Sequence, residues 1–284
     1  VPSEPATNDD LDALWTFVDP DNGDTQLNFA IEWYRDGVHI PAYDGMMTLP
    51  HSATIKGENW YFEVMVSDGI DWSSAVNSQS VTIANTAPTV SNVTLSPETP
   101  TSSEDLQVSA IYGDLDGDLE ASPTIRWYRD DILQSQFTNN LVISADETIR
   151  GEEWMIRYTP NDGTENGVEV QSAYVIIGNS LPTVEILSIG ENETSLTPLE
   201  LSLTTQDADD DTLTTIIHWL RDGFQVEALN NQTIVSTDWL GVGQSWAVRI
   251  ILDDGYTQSS PVISSNVEII NIMPTAKITF TETP

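Results

Sequence analysis

Cysteine is absent from the 284 residues, which excludes disulfide staples, thiolate nucleophiles and cysteine-ligated zinc together. Basic residues are nearly as scarce: nine Lys and Arg stand against 45 Asp and Glu, for a formal net charge of −36. So few cations cannot assemble an electropositive surface for nucleic acid or a basic face for an anionic bilayer. No apolar run approaches the roughly 18 residues a spanning helix needs. No basic-then-apolar leader follows Val1, so any signal peptide or anchor is expected to lie outside this stretch or to have been removed. His39, His51 and His218 are the only histidines. They sit in no metal-ligand spacing and beside no nucleophile motif, so no enzyme active site is expected.

What the chain does have is repetition. Trp33, Trp127 and Trp219 are separated by 94 and 92 residues, and the same two intervals separate Trp60, Trp154 and Trp246. The rule also holds for Asp68, Asp162 and Asp254, for Asn85, Asn179 and Asn271, and for Pro88, Pro182 and Pro274. Five anchors keeping one pair of spacings predict three tandem modules, at 1–87, 88–181 and 182–273. With 39% hydrophobic residues, each can build a core.

Within the modules the hydrophobic period is two. Leu106, Val108, Ala110 and Tyr112 alternate with polar residues, as do Leu11, Ala13, Trp15 and Phe17, and Trp60, Phe62, Val64 and Val66. Gly, Pro, Asn and Asp interrupt the chain about every ten residues. The fold class expected is all-β: three immunoglobulin-like sandwiches in an extended rod. A tag recurs as "IEWYRDG", "IRWYRDD" and "IHWLRDG". Its Ile and Trp point to the core on the third strand, and the following Asp-Gly turns the chain.

The frame is permuted. Each later module begins with a strand after its Pro, but the first lacks one, and residues 274–284 supply a further first strand. Two expectations stand side by side: the chain is a segment of a longer array, or Ala276 to Thr281 complete the first module of another subunit, polymerising chains head to tail.

Between the second and third strands every module carries an acidic loop: Asp19, Asp21 and Asp24; Asp114, Asp116 and Asp118; Asp207, Asp209 and Asp211. Alternating carboxylates around a tight turn gather the hard oxygens that calcium requires. In a sandwich of this kind the last interstrand loop, with Asp68, Asp162 or Asp254, lies at the same end, where the linker residues Asn85 and Asn179 arrive. Calcium clamping each junction is therefore expected, with Glu58 and Glu152 as further candidates. The plainer alternative is a set of ordinary Asp-Gly turns on a salt-adapted surface.

The succession Asp-x-Asp-Gly-Asp, Trp-Tyr-Arg-Asp, Gly-x-x-Trp, Asp-Gly and Asn-x-x-Pro resembles the PKD and cadherin-like immunoglobulin repeats of bacterial or archaeal surface proteins, over essentially the whole chain. The resemblance implies an extracellular, cell-surface protein of filaments, stalks or adhesins. It also implies calcium on Asp114, Asp116, Asp118 and their counterparts. The expected partners are neighbouring modules or subunits and a cell-surface or glycan ligand. Sequons at Asn92, Asn192 and Asn231 are candidate glycosylation sites. The alternative function is a ligand- or carbohydrate-binding accessory module of a secreted protein, for which Trp72 and Trp239 are the aromatics to examine.

Overall fold

The computed structural model describes residues 4–20, 24–190 and 194–279. In chain order the first repeat forms β1 (Leu11–Asp12), β2 (Asn28–Arg35), β3 (Val38–His39), β4 (Thr48–Leu49), β5 (Asn59–Ser67), β6 (Val76–Asn77) and β7 (Val81–Thr82). The second forms β8 (Thr89–Ser96), β9 (Leu106–Gly113), β10 (Thr124–Arg129), β11 (Ile132–Leu133), β12 (Val142–Ile143), β13 (Glu153–Thr159), β14 (Val170–Gln171) and β15 (Val175–Ile176). The third forms β16 (Thr183–Ser188), β17 (Leu199–Glu200), β18 (Ser202–Gln206), β19 (Thr214–Arg221), β20 (Phe224–Gln225), β21 (Ile234–Val235), β22 (Ser245–Asp253), β23 (Val262–Ile263) and β24 (Val267–Glu268).

By compactness the chain divides into two units. One comprises Val1–Ser96, Gln107–Leu141 and Trp154–Tyr174; the other comprises Pro97–Leu106, Val142–Glu153 and Val175–Pro284. The first repeat thus lies in one unit and the third in the other, while the second contributes to both.

In the first unit one sheet runs β3-β2-β5-β6 with β7 also on β5, and β1 pairs with β4 opposite it. Leu11, Ile31, Trp33, Leu49, Trp60 and Ile83 are fully buried between them. The same unit holds the antiparallel pairs β8–β9, β10–β11, β10–β13 and β13–β14. In the second unit the order β20-β19-β22-β23, with β24 also on β22, faces β16–β18 and β17–β21. That core is built on Leu199, Trp219, Val235, Trp246, Val248 and Ile250. One sheet of third, fourth, sixth and seventh strands over another of first, second and fifth is the order of immunoglobulin- and fibronectin-III-like sandwiches.

The recurring tag has a three-part physical role. Its Trp indole donates across the core edge to a loop carbonyl: Trp33 to Met46 at 2.8 Å, Trp127 to Asn140 at 2.9 Å and Trp219 to Gln232 at 2.9 Å. The arginines Arg35, Arg129 and Arg221 lie over the rings of Trp60, Trp154 and Trp246, 5.8–5.9 Å from the centroid, close enough for a cation–π contact. The pairs Asp36-Gly37, Asp130-Asp131 and Asp222-Gly223 then take positive φ at both positions. That conformation matches a two-residue hairpin turn to the twist of its strands.

Two details differ from the alternation read in the sequence. Met155 and Ala247 are buried on the face expected to be polar, whereas their counterpart Tyr61 in β5 is only partly buried. The strand expected through Phe17 ends at Asp12, since the β1–β4 sheet has no third strand among the described residues to hold it. At the other end, residues 271–279 form no strand and are exposed; the rest of the Ala276 to Thr281 segment lies outside the described residues.

Candidate functional site: two charged seams

Where the first repeat's linker reaches the second repeat, within the first unit, Asp114 folds its own loop. Its Oδ1 accepts from the amides of Asp116 at 2.7 Å and Asp118 at 3.2 Å, while its buried Oδ2 has no partner among the described residues. Asp116 accepts from the Thr86 amide of the linker at 2.7 Å and from the Thr7 hydroxyl. Lys56 ties the seam: its ammonium donates to Asp118 and, at 2.7 Å, to Asn85 Oδ1. The Asn85 amide donates onward to Asp162 at 2.8 Å and Glu165 at 3.0 Å.

The second unit repeats the design with different atoms. Asp207 Oδ1 accepts from Asp209 and Asp211 amides, and its Oδ2 is again buried without a partner among the described residues. Asp209, whose side chain is only 2% exposed, accepts from the Ser180 amide at 2.8 Å and leaves Oδ1 unpartnered. Arg150 stands where Lys56 stood, 94 residues on. It donates to Asn179 and makes a two-pronged contact with Asp211. Its guanidinium also lies 4.1 Å from the centroid of the Tyr256 ring. Asn179 donates to Asp254 at 2.9 Å and Thr257 at 2.9 Å.

A carboxylate cluster of this density needs positive charge, and the chain supplies part of it covalently. The side-chain oxygens of Asn85 and Asn179 face Lys56 and Arg150, and their amides bridge to the last-loop aspartates. Among the described residues, carboxylate oxygens close enough to share one cation occur in three groups: Asp19, Asp24 and Asp68; Asp114, Asp116 and Asp118; Asp207, Asp211 and Asp254. Asp21 lies outside the described residues, Asp162 stands outside the second group and Asp209 outside the third. The buried oxygens of Asp114 and Asp207, unpartnered among the described residues, are what a cation bound at these groups would satisfy, and an all-oxygen donor set suits a hard ion such as calcium.

Glu58 has another task. Its carboxylate accepts from the Trp60 indole at 2.9 Å and the Ile55 amide at 2.9 Å and pairs with Arg35. Gln244 accepts in the same way from Trp246 and Gly241, so an uncharged amide serves equally.

Hydrogen bonding from Asn85, and from the amides of Glu165 and Thr164, holds Asp162 below its ordinary pKa of 3.8. Burial opposes ionisation of Asp254, but the Thr257 amide, Asn179 and the Tyr256 amide outweigh it and shift the group down. The Asp118 hydrogen bond raises Lys56 above 10.5. A lowered carboxylate contributes stability that is complete above its unfolded value and lost as pH falls through its folded one; a raised lysine contributes below 10.5 and loses it above. Melting temperatures followed from pH 7 to 2 should therefore decline chiefly below about pH 4, with a shallower acid limb in Asp254→Asn. An unchanged limb in that variant would deny the seam its share.

Asn92 is exposed at a positive φ of 51° beside an irregularity in β8. Asn192 lies outside the described residues. Asn231 is exposed, but its Oδ1 accepts from the Ile217 amide at 3.0 Å, as Asn139 does from Ile125 without any sequon. Trp72 is half exposed, whereas Trp239 packs against the core of the third repeat.

No family model matches the chain, and no curated protein matches it. Among solved structures it is similar to the chicken CNTN1 FN1-FN3 domains: 10% identity, TM-score 0.30, covering 86% of this chain and 89% of that one. It is similar to fibronectin(III)-like modules of Clostridium thermocellum CbhA: 13% identity, TM-score 0.23, covering 64% and 94%. It is also similar to three N-terminal domains of the bacteriophage RB49 highly immunogenic outer capsid protein: 12% identity, TM-score 0.28, covering 95% and 97%. The sandwich assignment rests on the chain's own strand pairing. The histidines are engaged with side chains of their surroundings, His39 with Asp44, His51 with Asp10 and His218 with Arg249. The repeated acid clusters lie in loops between strands.

Proposed function

We propose that the chain is a structural repeat protein of the cell exterior, a rod of three PKD- or cadherin-like modules at 1–87, 88–181 and 182–273, serving a surface filament, stalk or adhesin. The observation that carries the reading is the paired seam. Equivalent positions 56 and 150 both bring a basic side chain onto the linker Asn and the third loop Asp, an arrangement suited to fixing one repeat against the next. Calcium adds to these covalent cations. Asp114, Asp116 and Asp118 would hold it at one seam, Asp207, Asp211 and Asp254 at the other, and Asp19, Asp24 and Asp68 at the corresponding tip of the first repeat.

Calcium titrated into the full chain should bind and raise the melting temperature, reversibly by chelator. At a hundred times its Kd it would stabilise the folded chain by about 2.7 kcal/mol. Asp207→Asn should remove the effect in the second unit. A melting temperature unmoved by millimolar calcium would reject the ion and leave Lys56 and Arg150 as the seam's own closure. The accessory-binding reading rests on the half-exposed Trp72 alone, and titration of soluble glycans against Trp72 fluorescence tests it.

A further inference from the structure

At one register position each repeat carries a cross-strand pair whose charge the fold does not require. Glu32 lies directly opposite Glu63 across β2 and β5, Arg126 opposite Arg157 across β10 and β13, and His218 opposite Arg249 across β19 and β22. The three pairs are equivalent, spaced by 94 and 92 residues. All sit on the outer face, because the flanking Ile31 and Trp33, like their counterparts in the other repeats, are buried. Like charges directly opposite one another destabilise a sheet. The sign nevertheless changes, from two acids in the first repeat to basic side chains in the other two.

The second repeat balances its pair internally: Glu169 accepts from Arg126 at 2.8 Å and lies 3.7 Å from Arg157. In the first repeat no lysine or arginine reaches Glu32 or Glu63 among the described residues. Glu32 meets the Tyr34 hydroxyl at 3.0 Å and stands 3.8 Å from His39, which Asp44 engages at 2.8 Å. In the third repeat no carboxylate reaches Arg249 among the described residues, in a chain with 45 Asp and Glu. Its Nη2 turns instead to His218 Nδ1 at 2.9 Å and Gln225 at 3.1 Å.

Aromatic and aliphatic side chains surround both unmatched charges, which are themselves half-buried. Beside the Glu pair the Tyr34 and Tyr61 rings stack in parallel, 4.8 Å between centroids. Beside Arg249 the same face carries Leu220 opposite Ala247 and Ile216 opposite Ile251, with Ile263, 57% exposed, alongside on β23. Such surroundings are those of interface hot spots, in which Tyr and Arg predominate, and a pair they shield loses less to salt than an exposed one.

We infer that the outer sheet face of the first repeat docks on the outer sheet face of the third repeat of a second copy of this chain, with Arg249 received by Glu32 and Glu63. The charge that each face lacks is supplied by the other, from the same position of the same fold. A guanidinium offers five N–H donors in a fixed fork, enough for two carboxylates. Copies of net charge −36 repel at a distance, but at physiological ionic strength the screening length is only about 8 Å, so the contacting faces decide the outcome. The contact requires neither bound metal nor the charged seams.

Sedimentation of the full chain in chelator, at about 0.15 M salt, should show reversible, concentration-dependent association. Arg249→Glu, and separately Glu32→Arg/Glu63→Arg, should each weaken it by about a hundredfold or more, because like charges then meet across the contact. An equimolar mixture of these two variants should associate again, since the acidic faces of one meet the basic faces of the other. Arg126→Glu, in the internally balanced second repeat, should leave association unchanged. Should a reversed chain fail to melt cooperatively, Arg249→Gln replaces it and should weaken association about tenfold or more. A chain that stays monomeric into the millimolar range overturns the inference. So does association that survives Arg249→Glu, a mixture of the two folded variants that stays monomeric, or an equal loss in Arg126→Glu. Melting insensitive to calcium would defeat the metal proposal and leave this contact standing.

Discussion

Trp219→Ala is expected to destabilise the third repeat by about 3–5 kcal/mol, lowering its melting temperature by roughly 15 to 25 °C. The residue is wholly buried, meets Trp246 edge-on with ring centroids 6.4 Å apart, and donates to the Gln232 carbonyl. Alanine leaves a cavity that the flanking β-branched residues cannot refill, and it strips that carbonyl of its donor. Amide exchange should accelerate along β19 and β22, whose ladder spans Thr214↔Asp253 to Arg221↔Trp246. Trp219→Phe keeps much of the buried area and should cost markedly less. A change below 1 kcal/mol in the alanine variant would mean that this tryptophan does not anchor the sandwich.

The second large effect concerns charge. Arg150→Glu places a carboxylate beside Asp209 and Asp211, where a guanidinium now meets Asp211 and Asn179 together. The second seam should open: the Ser180 amide, now bonded to Asp209, should exchange faster, and melting of the second unit should fall. The comparison is Arg126→Glu, which disrupts the more exposed pair with Glu169; such surface pairs are worth at most about 1 kcal/mol. Arg150→Lys should retain most of the seam, because Lys56 performs the equivalent task in the first unit. Equal behaviour of the two glutamate variants would show that Arg150 is an ordinary surface cation.

The tryptophans, the Asp-Gly hairpins and the inward alternation of β5 and β22 were legible in the sequence because period and burial are local properties of one strand. The acidic loops were legible as clusters for the same reason. What escaped was convergence. Lys56 and Arg150 differ in type and belong to a loop distant in sequence from the carboxylates they meet, so only the fold brings them there. Their common spacing of 94 residues, the same as that of the tryptophans, was the available signal. Glu58 stood among the ligand candidates as one acid of many; its hydrogen bonds to Trp60 and Ile55, matched by Gln244 with Trp246 and Gly241, come from strand and turn positions that only the fold joins.

The two seams also bear on how such a gene can change length. Joining Asn85 directly to Ser180 would delete one repeat. By the shared register it would bring Lys56 to Asp211, Asn85 to Asp254, and the Ser180 amide to Asp209 as in the present chain. Unequal recombination at this point would thus rebuild a chemically compatible junction, so shorter or longer descendants of the protein inherit working connections without any new mutation.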